Sequence, residues 1–144
     1  MKSYVVGFIF NHDLTRIVLV TKARPEWQKG RQNGVGGKIE DGESAVDAMV
    51  RETQEETGLT TSANDWRPVV SMKRISVSVE FFALRHMGDE HAVHTATNEA
   101  VGWYDVSSLP RTVLSNLTWM VPLAIDRFSD TTVSSVTVVH TDDR

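Results

Sequence analysis

Residues 44–58 read as one helix with both ends written into the chain. Ser44 stands where an N-cap belongs, with Asp47 three positions on in the manner of a capping box, and Gly58 stands where a left-handed residue ends a helix. At ~100° per residue, Glu52 and Glu56 fall within about 40° of each other and Glu55 about 60° to the other side, so three carboxylates share a face. That face lies about a third of a turn from the apolar stripe of Val46, Met49, Val50 and Thr53. Like charges at this spacing oppose the helix and raise each other's pKa, a conflict that a divalent cation removes. Mg²⁺ suits the set, since it takes oxygen ligands and is commonly held by one or two carboxylates plus a substrate phosphate. An ordinary solvated face, with the glutamates paired to Arg51, accounts for the same residues as long as they are taken alone.

The flanking pattern places this helix in a mixed α/β architecture. Apolar runs at Tyr4 to Phe10 and Arg16 to Thr21, separated by Asn11-His12-Asp13, predict a strand pair. Lys22 to Gln32, with Pro25 and Gly30, predicts a loop, and Gly34, Gly36 and Gly37 mark backbone that bends or is approached closely. Strands are expected at Pro68 to Lys73, Ser76 to Leu84, Val101 to Val106 and Thr132 to His140, and a second helix from Val113 to Phe128 despite Pro122. Thr141 to Arg144 has the composition of a disordered tail. The 144 residues match one domain with one core, expected to span 1–144.

Composition narrows the function. A net charge of -4 argues against a nucleic-acid polymer as partner. Lys22, Arg24, Lys29, Arg31 and Lys38 nonetheless cluster, as suits either a solvated loop or a site for a small polyanion. With no cysteine there is no disulfide, thiolate metal site or cysteine nucleophile. No apolar run approaches the length of a membrane span, so no membrane partner and a cytoplasmic location are expected. The sequence leaves monomer and homodimer open.

The run Gly37-Lys38-Ile39-Glu40-Asp41-Gly42-Glu43, seven further residues, then Arg51-Glu52-Thr53-Gln54-Glu55-Glu56-Thr57-Gly58-Leu59 resembles the Nudix box. That box reads Gly, five residues, Glu, seven residues, Arg-Glu, an aliphatic residue, any residue, Glu-Glu, any residue, Gly and an aliphatic residue. Every fixed position is met, which by chance would happen on the order of once in a million chains. The one departure is Thr53 in place of an aliphatic residue, and its methyl can still face the core. The resemblance implies an α/β/α sandwich around a mixed sheet. It implies metal binding by Glu52, Glu55, Glu56 and the Gly37 carbonyl, with Mg²⁺ as the cofactor and Mn²⁺ as a substitute. It implies proton abstraction from water, assigned to Glu52, and an Arg51–Glu43 pair that orients the cluster. Glu99, before Trp103, is the best-placed acid for an added ligand or base, and a surface loop acid is the alternative.

The segment Trp27 to Lys38 resembles the MutT-like branch, which hydrolyses nucleoside triphosphates, oxidised ones included, to the monophosphate and pyrophosphate. The resemblance implies that Lys22 and Lys38 meet phosphates and that Trp27, Asn33 and Asn116 surround the base, an amide being able to read a purine edge with one donor and one acceptor. Turn or packing roles suit either asparagine equally. Ser115-Asn116-Leu117 stands where an oxidised-purine enzyme of the human type carries an aspartate pair, so oxidised dGTP is not singled out. ADP-ribose, nucleotide sugars, dinucleoside polyphosphates and a non-catalytic nucleotide-binding module are the competing readings. Non-catalytic modules lose box glutamates, and here all are kept.

Overall fold

The computed structural model describes residues 1–129 and 135–139. In chain order the strands are β1 (Lys2–Phe10), β2 (Arg16–Thr21), β3 (Gln32–Asn33), β4 (Val35–Lys38), β5 (Arg67–Lys73), β6 (Val77–Arg85), β7 (Val101–Asp105) and β8 (Val136–Val139). Helix α1 (Ala45–Thr57) follows β4, and α2 (Leu117–Ser129) follows β7. The strands form one mixed sheet of order β3-β2-β1-β6-β5-β8, with β4 also on β1 and β7 on β2. Pairing is parallel for β1 with β6 and for β5 with β8, and antiparallel elsewhere.

The nearly continuous apolar runs follow from burial on both faces of this sheet. Successive residues alternate sides. Val6, Phe8, Phe10, Ile17, Leu19, Phe81 and Ala83 pack with Leu117, Met120, Val121 and Ala124 of α2. Val5, Ile9, Val18, Val20, Phe82 and Leu84 pack with Ala48 and Met49 of α1 and with Trp66. One helix therefore covers each face, giving the sandwich. Among the described residues no helix is long and apolar enough to cross a membrane.

The sheet opens where the site will form. β1 and β2 are paired at Phe10 and Ile17. Beyond that point β4 takes the edge of β1, from Tyr4 opposite Lys38 to Gly7 opposite Val35, while β3 takes the edge of β2 at Val20 and Thr21. A wedge of backbone thus separates the two strands, and the glycines lie in it.

Several elements differ from the sequence expectation. β4 is a strand where the sequence predicts glycine backbone that bends or is approached closely, and Gln32 belongs to β3 rather than to the preceding loop, which also carries a 3₁₀ turn at Glu26–Gln28. The second helix begins at Leu117, not Val113, because Val113 bridges to Gln32 and Leu114 N–H donates to the Gln32 carbonyl at 3.0 Å. Backbone committed to β3 cannot enter the helix. The late strand is seen at Val136–Val139, while 132–134 and 140 of its expected span, and the tail Thr141 to Arg144, lie outside the described residues.

Helix α1 has the expected caps: Ser44 Oγ accepts from Asp47 N–H at 3.2 Å, and Gly58 adopts a φ of 78°. Its buried face is Ala48, Met49, Thr53, Glu56 and Thr57, turned further toward the glutamates than the apolar stripe suggested. Thr53 is fully buried and its hydroxyl oxygen has no hydrogen-bond partner among the described residues. Replacing it with Val removes that stranded hydroxyl at nearly constant shape, so Thr53→Val is expected to gain about 1 kcal/mol of stability. Urea unfolding should show a higher midpoint at an unchanged slope; an equal or lower midpoint would mean that the hydroxyl is satisfied.

Candidate active site

The glycines of β4 let a helix bearing carboxylates lie against bare backbone. A Cβ on Gly36 would run into the Val5 carbonyl, and one on Gly37 would overlap the Glu52 carboxylate. With no side chain in the way, Gly36 N–H donates to Glu56 Oε1 at 2.9 Å. Glu56 is 7% exposed, and its carboxyl is pushed up to about 7. Burial is the chief cause, opposed by the Gly36 N–H and Lys22 and reinforced by Glu52 and Glu99. Burial also raises Glu52, against the pull of Arg51. Among the described residues the Oε2 atoms of Glu52 and Glu56 receive no hydrogen bond.

Arg51 fixes the other side of the cluster. Its Nε and Nη2 bind the two oxygens of Glu43 at 2.8 and 3.0 Å, its Nη1 binds Glu52 Oε1 at 2.9 Å and Glu55 at 3.3 Å, and its Nη2 also donates to the Lys38 carbonyl at 3.0 Å. The bidentate bond holds the Glu43 carboxyl down to about 2, so this pair stays ionised. Glu55 is half exposed and, among the described residues, bonds only to Arg51. Its carboxylate therefore stands apart from the buried two, and among the described residues no three acidic or imidazole groups close on one point. The donor set still fits a Mg²⁺ ion, which needs one or two carboxylates and fills its remaining positions with water and substrate oxygens. Glu52, against Gly37, and Glu56, against Gly36, each keep one oxygen free of hydrogen bonds among the described residues.

The expected substrate residues are partly gathered. Lys22, at the end of β2, pairs with Glu99 at 3.2 Å, and Glu99 also accepts from Ala23 N–H at 2.6 Å. Burial works against the Glu99 carboxylate, but these donors outweigh it and its pKa is lowered. Asn33 is half-buried in β3 with Oδ1 accepting from Gly34 N–H at 2.8 Å, which leaves its NH₂ to a ligand. Asn116 donates to Met120 Sδ at 3.3 Å, which leaves its carbonyl oxygen. The two lie on adjoining segments, because Arg31 Nη2 donates to the Val113 carbonyl at 3.0 Å and Gln32 N–H to that of Thr112 at 3.3 Å. Trp27 is 67% exposed on the loop crest. Lys38 is exposed and its ammonium meets none of the others, although its carbonyl holds Arg51.

Of the basic cluster, Lys22 is thus paired and Arg31 is spent on carbonyls, while Arg24, Lys29 and Lys38 are exposed. Sequence reasoning missed the Gly36 N–H, and also Gln32, a buried amide that accepts from Thr112 Oγ1 and donates to Thr21 Oγ1. The signal for the first was the glycine itself, which marks backbone open to close approach. Two surface clefts, of about 510 Å³ beside Met1, Ile75 and Val77 and about 240 Å³ beside Leu59, Arg85 and His86, contain none of these residues.

The NUDIX domain family profile matches residues 1–122. Among solved structures, one from work on MutT of the fish pathogen Aliivibrio salmonicida and of Vibrio cholerae is 26% identical, with a TM-score of 0.67 over 87% of this chain and 98% of that one. A MutT NUDIX hydrolase from Burkholderia pseudomallei is 18% identical, with a TM-score of 0.71 over 85% of this chain and 96% of that one. A NUDIX hydrolase from Nitrosomonas europaea is 14% identical, with a TM-score of 0.70 over 98% of this chain and 79% of that one. The last two share the fold alone.

Proposed function

The chain belongs to the NUDIX family, and from that premise we propose that it is a Mg²⁺-dependent pyrophosphohydrolase that cleaves nucleoside triphosphates to the monophosphate and pyrophosphate. The observation that carries this reading is the buried Glu56, bonded to Gly36 N–H beside Glu52, with one free oxygen on each carboxylate. Two carboxylates withheld from water next to bare backbone are costly unless a cation completes the site. Glu52, Glu56 and the Gly37 carbonyl would hold the ion, with Glu55 reaching it once released from Arg51. A bound Mg²⁺ supplies charge for the phosphate oxygens and acidifies water. Glu52, raised by burial, would also take the proton of the attacking water, at a lone pair of Oε2 left over from the ion. Arg51, locked by Glu43, keeps the second Glu52 oxygen from turning away. Lys22 meets the phosphates, and Asn33 with Asn116 offers a donor and an acceptor to a purine edge.

Steady-state kinetics on a panel of purine and pyrimidine triphosphates, 8-oxo-dGTP, ADP-ribose, a nucleotide sugar and a dinucleoside tetraphosphate tests this. The triphosphates should give the highest kcat/KM, and Asn33→Ala should lower purine triphosphate cleavage roughly tenfold while touching pyrimidines less. A higher kcat/KM on ADP-ribose or the dinucleoside polyphosphate, with Asn33→Ala silent on every triphosphate, would replace the substrate class and leave only the bond that is broken.

A further inference from the structure

We propose that Glu99 is a positioning residue that fastens the root of the 22–31 loop, and that it acts on the reaction through that loop rather than as a metal ligand or a base. Each of its oxygens accepts a bond: Oε1 from Lys22 Nζ at 3.2 Å and Oε2 from Ala23 N–H at 2.6 Å. Its side chain is 11% exposed. The neighbouring backbone adds to the grip, Thr21 N–H donating to the Ala100 carbonyl at 2.8 Å. Glu52 and Glu56 each keep one oxygen that accepts no hydrogen bond among the described residues, and Glu99 keeps none. The strong, charge-assisted bonds of Glu99 point instead at residues 22 and 23.

Beyond the grip the loop closes on itself. Gly30 N–H donates to the Lys22 carbonyl and Lys22 N–H to that of Arg31, each at 2.8 Å. Arg31 ties the returning leg to Val113. Trp27, at the crest, has no hydrogen-bond or ring partner among the described residues and is 67% exposed. The loop is therefore held at both roots and free at its crest, and Glu99 sets where the Lys22 ammonium stands beside Glu56 and from where Trp27 reaches out. Through turnover this inference rests on the nucleotide reading; the grip itself does not.

Full-length Glu99→Ala and Glu99→Gln separate the two roles. Hydrogen exchange without metal should speed up at least about tenfold at Ala23 and across 22–31 in the Ala variant, while the Gln variant, whose amide oxygen accepts the same N–H, stays near wild type. With dGTP and Mg²⁺, the Ala variant should raise KM about tenfold with kcat lowered no more than about threefold, and Gln should restore most of the KM. The Mg²⁺ concentration for half activation should be the same in all three proteins. Loss of about a hundredfold in kcat by both variants, or a tenfold rise in half-activating Mg²⁺ in the Gln variant, would make Glu99 a base or a ligand. Exchange and KM unmoved in the Ala variant would remove the grip. If the wild-type protein cleaves no nucleotide, the proposed function falls while the exchange rates alone decide the fate of the latch.

Discussion

Replacing Glu56 with Gln is expected to lower turnover by about three decades or more, some 4 kcal/mol of transition-state stabilisation, because one substitution removes a metal ligand and a charge together. The fold should not suffer, since a Gln oxygen accepts the same bond from Gly36 N–H. Metal-free stability should in fact favour the variant. Glu56 binds its proton more tightly folded than unfolded, at about 7 against an ordinary 4.5, so the native state holds more protons between those values and wild-type stability falls as pH rises through them. The loss is complete above pH 7 and absent below 4.5, and amounts to on the order of 3 kcal/mol. Chemical denaturation in EDTA at pH 4.5 and pH 8 measures it: the Gln variant should gain on wild type only at the higher pH. Turnover above about a tenth of wild type at saturating Mg²⁺ would end the role assigned to Glu56.

Gly37→Ala should cost on the order of a hundredfold in turnover, as misplacing a reacting group by about 1 Å does. The added methyl falls on all three carboxylate atoms of Glu52, the far end of a flexible side chain, so the carboxylate moves and the backbone does not. Circular dichroism and melting should stay close to wild type while the Mg²⁺ needed for half activation rises. Gly36→Ala is the contrast. Its methyl meets the Val5 carbonyl, which cannot yield, and a stability loss of about 1–3 kcal/mol is expected, with the N–H that Glu56 accepts from displaced as well. A Gly37→Ala enzyme with near wild-type kcat would mean that Glu52 does its work from another position.

What could be read from the sequence was local, and what could not was carried by distant partners. Helix α1 was legible because Ser44 and Gly58 write its ends beside it, and the Arg51–Glu43 pair through the resemblance of residues 37–59 to the box. β1 and β2 were legible because strands buried on both faces leave nearly unbroken apolar runs, and β6 because an alternating start gives way to such a run. β4 was hidden: Val35-Gly36-Gly37-Lys38 has few side chains to show a period, and its strand character comes from pairing with β1. The late start of α2 was hidden for the same reason, being set by Gln32 on the other side of the fold. The depth of Glu56 could not be read from α1 alone, because it depends on glycines in another element allowing the helix close. The individual carboxylates could be named beforehand; that Glu55 stands apart and Glu99 is engaged by Lys22 and Ala23 required the assembled sheet.

The most direct test of the account identifies the bond that is broken and what breaking it requires. Purified protein incubated with dGTP in H₂¹⁸O, with Mg²⁺ or with EDTA, and resolved by ion-exchange chromatography with mass detection should give dGMP and pyrophosphate with Mg²⁺, one ¹⁸O in the products, and no cleavage in EDTA. Release of dGDP and phosphate, equal cleavage in EDTA, or no cleavage of any nucleotide offered would contradict it.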